Sequence, residues 1–440
     1  MLIILSSLLN KDNKKLSFNA LYILITLSEF KEVDKFFSSD ENICCNIASF
    51  LGNNKNDDIF LFYGILLIRN IIMDKNVCEI FNKYKITNFY EEIYEKKLLN
   101  NKFMSFLCNS ICFIINFELK KEKAQINISN LLPCIKIIAT QLRPNYPVNL
   151  LYRYINNLYN LTSTNKSEIY YEMINSKVHK DFMNIYPEIY EKSKSLKKKY
   201  EEMISSKEGN SEKEINKCKE EREFSYSACL IILKILGKIM YSEDNILTQT
   251  LLNADIASFL KDKILSNDLR VIKNASFCLA NICGGTYGHI GYLIENNCLY
   301  ELTKISKNIY DAIEFSKEKN DYYSQLKDTL REITFVFALA IGNLLFEKTV
   351  PLAECNDFTI VFILVKGLKY FCNFDSQELI TFIVSALSKL ISISHLFKVN
   401  ICELMEKFGL KEYVENILLN KNWEIYNYVD SFYNAIFGAI

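Results

Sequence analysis

NASFCLANICGGTYGHIGYLIENNCLYELTKI, from Asn274 to Ile305, divides at Gly284-Gly285 into two parts with different jobs. Ahead of the glycines, Ala275, Cys278, Leu279 and Ile282 recur at i, i+3, i+4 and i+7, the stripe of a helix with one face buried. The paired glycines are expected to stop that helix. Behind them Ile290, Leu293 and Ile294 form a short second stripe, Asn296-Asn297 marks a turn, and Leu299 to Ile305 opens a third helix. The stretch therefore predicts three helices in about forty residues, joined by a glycine turn and a polar corner.

The pattern recurs along nearly the whole chain. Helices with the same alternation of small and large apolar residues end at Leu27, Ile71, Phe117, Leu161, Leu236, Ile282, Leu344 and Leu390, and the successive differences are 44, 46, 44, 75, 46, 62 and 46 residues. Five of the seven fall at 44 to 46, so the other two read as one period plus insertions of about 30 and about 17 residues. A second apolar stripe follows each anchor, at Ile43 to Leu51, Ile86 to Tyr94, Leu131 to Leu142, Phe182 to Tyr190, Ile256 to Leu265, Leu299 to Ile305, Ile360 to Phe371 and Tyr413 to Leu419. Two landmarks in one phase predict an all-α chain of stacked repeats, because a lone three-helix unit cannot cover its own apolar faces.

The segment NASFCLANICGG, with its Asn-Ile-x-x-Gly ending, resembles the last helix of armadillo repeats in importin-alpha-like and catenin-like proteins. The resemblance implies a right-handed α-solenoid of about eight armadillo-like three-helix repeats with two insertions. It also implies a non-enzymatic scaffold or adaptor that binds an extended peptide or a folded partner along its concave face. One further regularity bears on this: asparagine precedes the anchor residue at Asn70, Asn116, Asn160, Asn281 and Asn343. In the proteins it resembles, an asparagine at this place hydrogen-bonds the main chain of an extended peptide, for which an amide offers both donor and acceptor. The alternative is an amide that bonds only a neighbouring helix. Phe62, Tyr63, Leu66, Tyr152, Phe277, Phe335 and Leu339 are expected to flank the groove and set specificity.

The chain departs from the importin-alpha pattern. Tryptophan is absent four residues before each asparagine, where Leu66, Cys112, Asn156, Phe277 and Leu339 stand. One turn further back come Tyr63, Asn109, Arg153, Asn274 and Val336, with no carboxylate for a basic nuclear-localisation peptide. A nuclear import carrier is thus a weaker alternative, and the groove better suits an apolar, neutral or acidic segment. A regulator of a small GTPase or a co-chaperone, acting on a globular client, is the other alternative.

Composition agrees with a binding protein. Lys plus Arg and Asp plus Glu both number 52, giving no global field that favours nucleic acid or an anionic membrane. Half of the residues are hydrophobic and only 12 are Gly and 5 Pro, so the chain is neither disordered nor divided by a flexible linker. The apolar start MLIILSSLL is too short to span a membrane and lacks a basic leader; it is expected to be the buried helix of an incomplete first repeat. The fourteen cysteines follow the helix period and include no Cys-x-x-Cys pair, while His179, His289 and His395 stand far apart. No metal site is expected; buried free thiols point to the cytoplasm or nucleus. The loop Gly284 to Gly291 lacks the preceding strand and Gly-Lys-Ser/Thr ending of a phosphate cradle. No catalytic motif and no cofactor site are recognised.

The organisation expected is armadillo-like repeats over 1–187, a charged insertion or loop over 188–223, further repeats over 224–419 with a helical extension near 307–331, and a capping helix over 420–440. Residues 188–223 shift sharply to Lys and Glu, and Ser205, Ser206 and Ser211 within them are candidate modification sites. The tail carries the only tryptophan, Trp423, ahead of a stripe of Tyr426, Val429, Phe432 and Ile436.

Overall fold

The computed structural model describes residues 1–95, 101–122, 125–205, 211–242, 244–316, 320–371, 377–420 and 423–438. Among them every regular element is a helix. The chain divides into two compact units, Met1–Ile231 and Ile232–Ile440, with the boundary inside one long helix.

The first unit opens with α1 (Leu2–Leu8) and α2 (Lys14–Ser28), and then proceeds in groups of three. The first group is α3 (Asp34–Phe37), α4 (Glu41–Asn53) and α5 (Asp58–Ile71), and the next is α6 (Lys75–Lys83), α7 (Ile86–Glu95) and α8 (Asn101–Glu118). In the third a 3-10 turn at Ile128–Asn130 replaces the short leading helix before α9 (Leu132–Ala139) and α10 (Val148–Thr162). The last holds α11 (Ser167–Asn175), α12 (Val178–Ser205) and the first part of α13 (Glu212–Met240).

The second unit continues from within α13 through α14 (Asn245–Asn253), α15 (Ile256–Ile264) and α16 (Leu269–Cys283), followed by α17 (Tyr287–Glu295), α18 (Cys298–Phe315) and α19 (Asp321–Asn343). Next comes α20 (Phe346–Tyr370), whose backbone is non-helical from Cys355 to Phe358, so that 346–354 and 359–370 are two arms, the first two helices of a group that α21 (Gln377–Ser392) completes. The last group is α22 (Ile401–Lys407), α23 (Leu410–Leu418) and α24 (Tyr426–Phe437).

The third helix of each group but the last carries the anchor residue or, for Leu344, ends just before it, and the third helices pack in succession: α2 on α5, α5 on α8 and α8 on α10 in the first unit, then α16 on α19, α19 on α21 and α21 on α24 in the second. The second helices form a parallel layer, with α7 on α9, and α15, α18, α20 and α23 in series. Burial follows the sequence stripe: Ala275, Cys278, Leu279 and Ile282 of α16 are all fully buried. Each such Leu or Ile contributes about 1.5–3 kcal/mol through removal from water.

Local signals set the helix ends. Asn13, Asp57, Asp268 and Asn320 accept backbone N–H bonds at the starts of α2, α5, α16 and α19, satisfying donors that a helix leaves unpaired. A single left-handed residue precedes the second helix of several groups: Lys85, Lys177, Asp255, Asn297 and Gly409, with φ of 53°, 60°, 61°, 59° and 98°. Gly284-Gly285 ends α16 differently from the expected glycine stop. Gly284 stays right-handed (φ −70°, ψ −15°), and at Gly285 an added Cβ would lie 2.8 Å from His289 Nδ1, so close approach makes this corner. The N-terminal helix also departs from expectation. α1 packs on α2 and α4 and buries Ser6, with Leu9 just beyond it, yet Ile3 and Ile4 are exposed.

Residues 188–205 and 212–223 continue α12 and α13 as neighbouring helices. There Cys218 Sγ donates to Leu196 O at 3.7 Å, and the Arg222 guanidinium lies 5.2 Å from the Tyr200 ring centre. Ser206 lies outside the described residues; Ser205 and Ser211 are exposed. Near 307–331, α18 and α19 are lengthened on either side of their corner. No helix among the described residues is long and apolar enough to cross a membrane.

Candidate functional site

All five row asparagines lie at equivalent places near the C-terminal ends of third helices, and all are half-buried or exposed. Their amides are used differently. Asn281 Nδ2 donates to Gly237 O at 2.8 Å, Asn343 Nδ2 to Cys283 O at 2.9 Å, and Asn70 Nδ2 to Ser28 Oγ at 3.0 Å. In each case the acceptor belongs to the last turn of the preceding third helix; Gly237 O also accepts from Tyr241 N at 2.9 Å, and Ser28 offers its hydroxyl. Among the described residues, the Oδ1 atoms of Asn281 and Asn343 have no partner, and neither does the amide of Asn160. Asn116 is exposed and lines a groove of about 540 Å³ with Phe113, Phe117, Ile72, Met73 and Lys120.

The eighth place of this row escaped the asparagine pattern. Lys389 precedes Leu390 as the asparagines precede their anchors, and its Nζ donates to Gly342 O at 3.1 Å and to Leu344 O. A cation suits the negative end of α19 as an amide donor does. Burial holds the Lys389 pKa below its ordinary value. Its ammonium also lies 5.4 Å from the Phe346 ring centre, beside an open apolar groove of about 490 Å³ containing Leu345 and Phe346. Register alone could have found this residue.

The flanking aromatics split into contacts within each unit. In the first, Tyr63 packs edge-on against Phe18 with centroids 5.5 Å apart, Phe62 lies 5.8 Å from Phe106, and Tyr152 stacks on Phe224 at 5.0 Å. In the second, Phe335 meets Phe382 at 5.3 Å. Phe277 covers Gly237, where a Cβ would come within 2.5 Å of its ring carbons. Leu66 is half-buried, and Leu339 is buried more deeply than a groove-lining role requires.

Charge on the two units' third helices differs. In the first, Arg69 and Arg153 are half-buried, and each lies over a phenylalanine of α8. In the second, Lys273 is bonded to Asp328 at 2.6 Å, and burial raises the pKa of nearby Glu332 against the attraction of Lys273. Among the described residues no group of three or more His, Cys, Asp and Glu is placed to hold a metal. Thirteen described cysteines are free thiols, ten of them buried.

No family model and no curated protein matches the chain. Among solved structures it resembles an engineered protein, 12% identical, with a TM-score of 0.53 over 99% of this chain and 98% of that one. More distant are a designed armadillo repeat protein in complex with the peptide (KR)4, 18% identical, and computationally designed armadillo repeat proteins for modular peptide recognition, 16% identical. Each has a TM-score of 0.46 and covers 69% of this chain and 99% of its own. At such identities the likeness is one of fold. The three-helix groups that recur in the register described above make the chain an all-α, armadillo-like repeat solenoid, and the likeness at a TM-score of 0.53 agrees with that fold.

Proposed function

We propose that the chain is a non-enzymatic scaffold or adaptor that binds an extended segment of a protein partner along its third-helix face. Armadillo-like folds are commonly peptide-binding scaffolds. The observation that carries the reading is the state of the row amides. Asn281 and Asn343 each spend one N–H on the preceding helix and keep the other N–H and Oδ1 for a ligand. The first bond fixes the amide's orientation, so less side-chain freedom is lost when a peptide group docks. Half-exposed Phe62, Tyr63, Tyr152, Phe277 and Phe335 on the same helices offer apolar contact beside it.

The test is capture of partners from the native cell by the intact chain beside variants of the row. Asn116→Ala with Asn160→Ala is the cleaner pair, because neither amide braces a neighbouring helix. Asn281→Ala with Asn343→Ala also removes two bonds between helices, each worth about 1 kcal/mol, so its melting must be checked alongside. Loss of one amide–peptide bond should weaken binding about fivefold, and the four-site variant should lose its partners. Retention of the same partners by a folded four-site variant would show the row to be structural.

The paired helices over 188–223 favour a second reading, regulation of a small GTPase or co-chaperone action on a folded client. Replacing 192–219 by a short Gly/Ser linker would then abolish client binding while the row variants kept it. A nuclear import carrier is disfavoured, since α5, α8 and α10 present no exposed carboxylate beyond Asp58 in the first turn of α5.

A further inference from the structure

We infer that the third-helix face of residues 1–231 selects acidic segments, with Arg69 and Arg153 as separate receptors for Asp or Glu side chains. This deepens the scaffold reading and rests on it. The two guanidiniums reach α8 from opposite neighbours. Arg69 of α5 places its Cζ 5.2 Å from the Phe106 ring centre and donates to Asn70 Oδ1 at 3.4 Å. Arg153 of α10 lies 5.4 Å from the Phe113 ring centre and donates to Asn109 Oδ1 at 2.8 Å. Phe106, Asn109 and Phe113 stand at i, i+3 and i+7, on one face of α8.

The charge on the helices that carry and flank the two arginines up to α10 is one-sided. By sequence, α2, α5, α8 and α10 carry Lys14, Lys15, Arg69, Lys102 and Arg153 against only Asp58 and Glu118, whereas the start of α13 beyond α10 is mixed, with Glu212, Glu214, Glu220, Glu221 and Glu223 beside Lys213, Lys217, Lys219 and Arg222. Glu118 is fully buried and bonded by Asn82 and Lys121, so it neutralises nothing on the surface. Among the described residues neither arginine is in an ion pair, whereas Lys14 is bonded to Asp57 and Lys55 to Glu92. A guanidinium has five N–H donors in a planar fork; stacking on a ring occupies its face and leaves its edges for a carboxylate. Half-burial strengthens such a pair relative to one in open water.

Spacing argues for two carboxylates on one chain. Seven residues separate the two supporting rings, about 10 Å along a helix. One carboxylate cannot bridge that distance, but side chains three positions apart on a polyproline II peptide share a face, because that helix has three residues per turn, and at about 3.1 Å per residue they span roughly 9 Å.

The experiment uses the full chain and fluorescein-labelled peptide pools of roughly twelve residues, degenerate in Gly, Ser, Leu and Val. Two positions three apart are fixed as Asp, as Asn or as Lys, and binding is read by fluorescence anisotropy. The Asp pool should bind about tenfold more tightly than the Asn pool at low salt, and the difference should shrink as salt rises. R69Q with R153Q should erase that difference, while R69K with R153K should restore part of it. Equal binding of all three pools, or an Asp preference that survives in a folded R69Q/R153Q chain, overturns the acidic selectivity and leaves the scaffold reading standing. Failure of every pool to bind overturns the peptide reading and the selectivity with it.

Discussion

At the scale of single residues, the row of asparagines was legible because period and register alone place them. What each amide bonds was not, since Gly237 and Cys283 lie 44 and 60 residues away from Asn281 and Asn343. Arg69 and Arg153 were hidden for the same reason: the rings that position them belong to α8. Gly237 shows how tightly one such contact is built. An alanine there would bring its Cβ within 2.5 Å of the Phe277 ring, an overpacking worth about 1–3 kcal/mol against the roughly 1 kcal/mol that alanine gains as a helix former. Gly237→Ala should therefore lower stability in urea, whereas Gly342→Ala, with nothing within 4 Å of its added Cβ, should raise it by up to about 1 kcal/mol. A second residue predicts pH dependence. His179 is 3% exposed, neither ring nitrogen has a partner among the described residues, and burial, aided by Lys180, depresses its pKa from 6.5 to about 4. The unfolded chain then takes up the proton first as pH falls below 6.5, so this stability is present above 6.5 and lost on acidification towards 4. The loss should be on the order of 1 kcal/mol, and His179→Leu should flatten the profile of urea midpoint against pH. An unchanged profile would assign the acid sensitivity elsewhere.

At the scale of elements, the helices of the anchor stripe were legible because their apolar residues keep a 3.6-residue period, and α16 buries the residues that stripe named. Helix ends were less so. The polar corner at Asn296-Asn297 proves to be one left-handed residue at Asn297, but the same corner is occupied by Lys85 and Lys177 elsewhere, residues that carry no turn signal in sequence. Charge was equally silent over 188–223, since a Lys/Glu-rich composition does not separate a loop from two solvated helices; the deciding contacts, Cys218 with Leu196 and Arg222 with Tyr200, join residues 22 positions apart in sequence. The left-handed corners offer a direct test. A residue with a Cβ pays roughly 1–2 kcal/mol in that conformation, and glycine does not. Lys177→Gly, at φ 60° before α12, should therefore stabilise the chain by up to about 1 kcal/mol after glycine's greater unfolded-state freedom is subtracted. Gly409→Ala, at φ 98° with its Cβ 2.9 Å from the Tyr413 ring, should do the reverse by more than that amount. Chemical denaturation of both variants checks the pair. A destabilised Lys177→Gly chain would mean that the Lys177 side chain contributes more than its backbone strain removes.

At the scale of the molecule, a repeat fold distributes its core along the chain, so the same chemistry is buried again and again rather than once. The thiols make this measurable. Cys44, Cys78 and Cys112 in the first unit and Cys298 in the second have their pKa values pushed up from 9.0 to about 12, chiefly by burial, and Cys108, Cys134, Cys278 and Cys283 are raised as well. In the unfolded chain these groups ionise near their ordinary value, while in the folded chain they remain protonated until higher pH. Between pH 9 and about 12 the unfolded state therefore binds fewer protons, and stability must fall as pH rises through that window, with no contribution below it. Each thiol can add up to about 1.4 kcal/mol per pH unit, and because several sit in each unit their slopes sum. The urea midpoint should thus be nearly flat from neutrality to pH 8.5 and collapse above pH 9.5, far more steeply than one ionising group allows. Thiol modification supplies the independent check: at pH 8 the ten buried cysteines should react with an aromatic disulfide reagent only as fast as the chain opens, while Cys45, Cys355 and Cys402 react directly. Rapid modification of all thirteen in the folded chain, or a midpoint indifferent to alkali, would contradict a core in which the cysteines serve as small apolar residues repeated from one group of helices to the next.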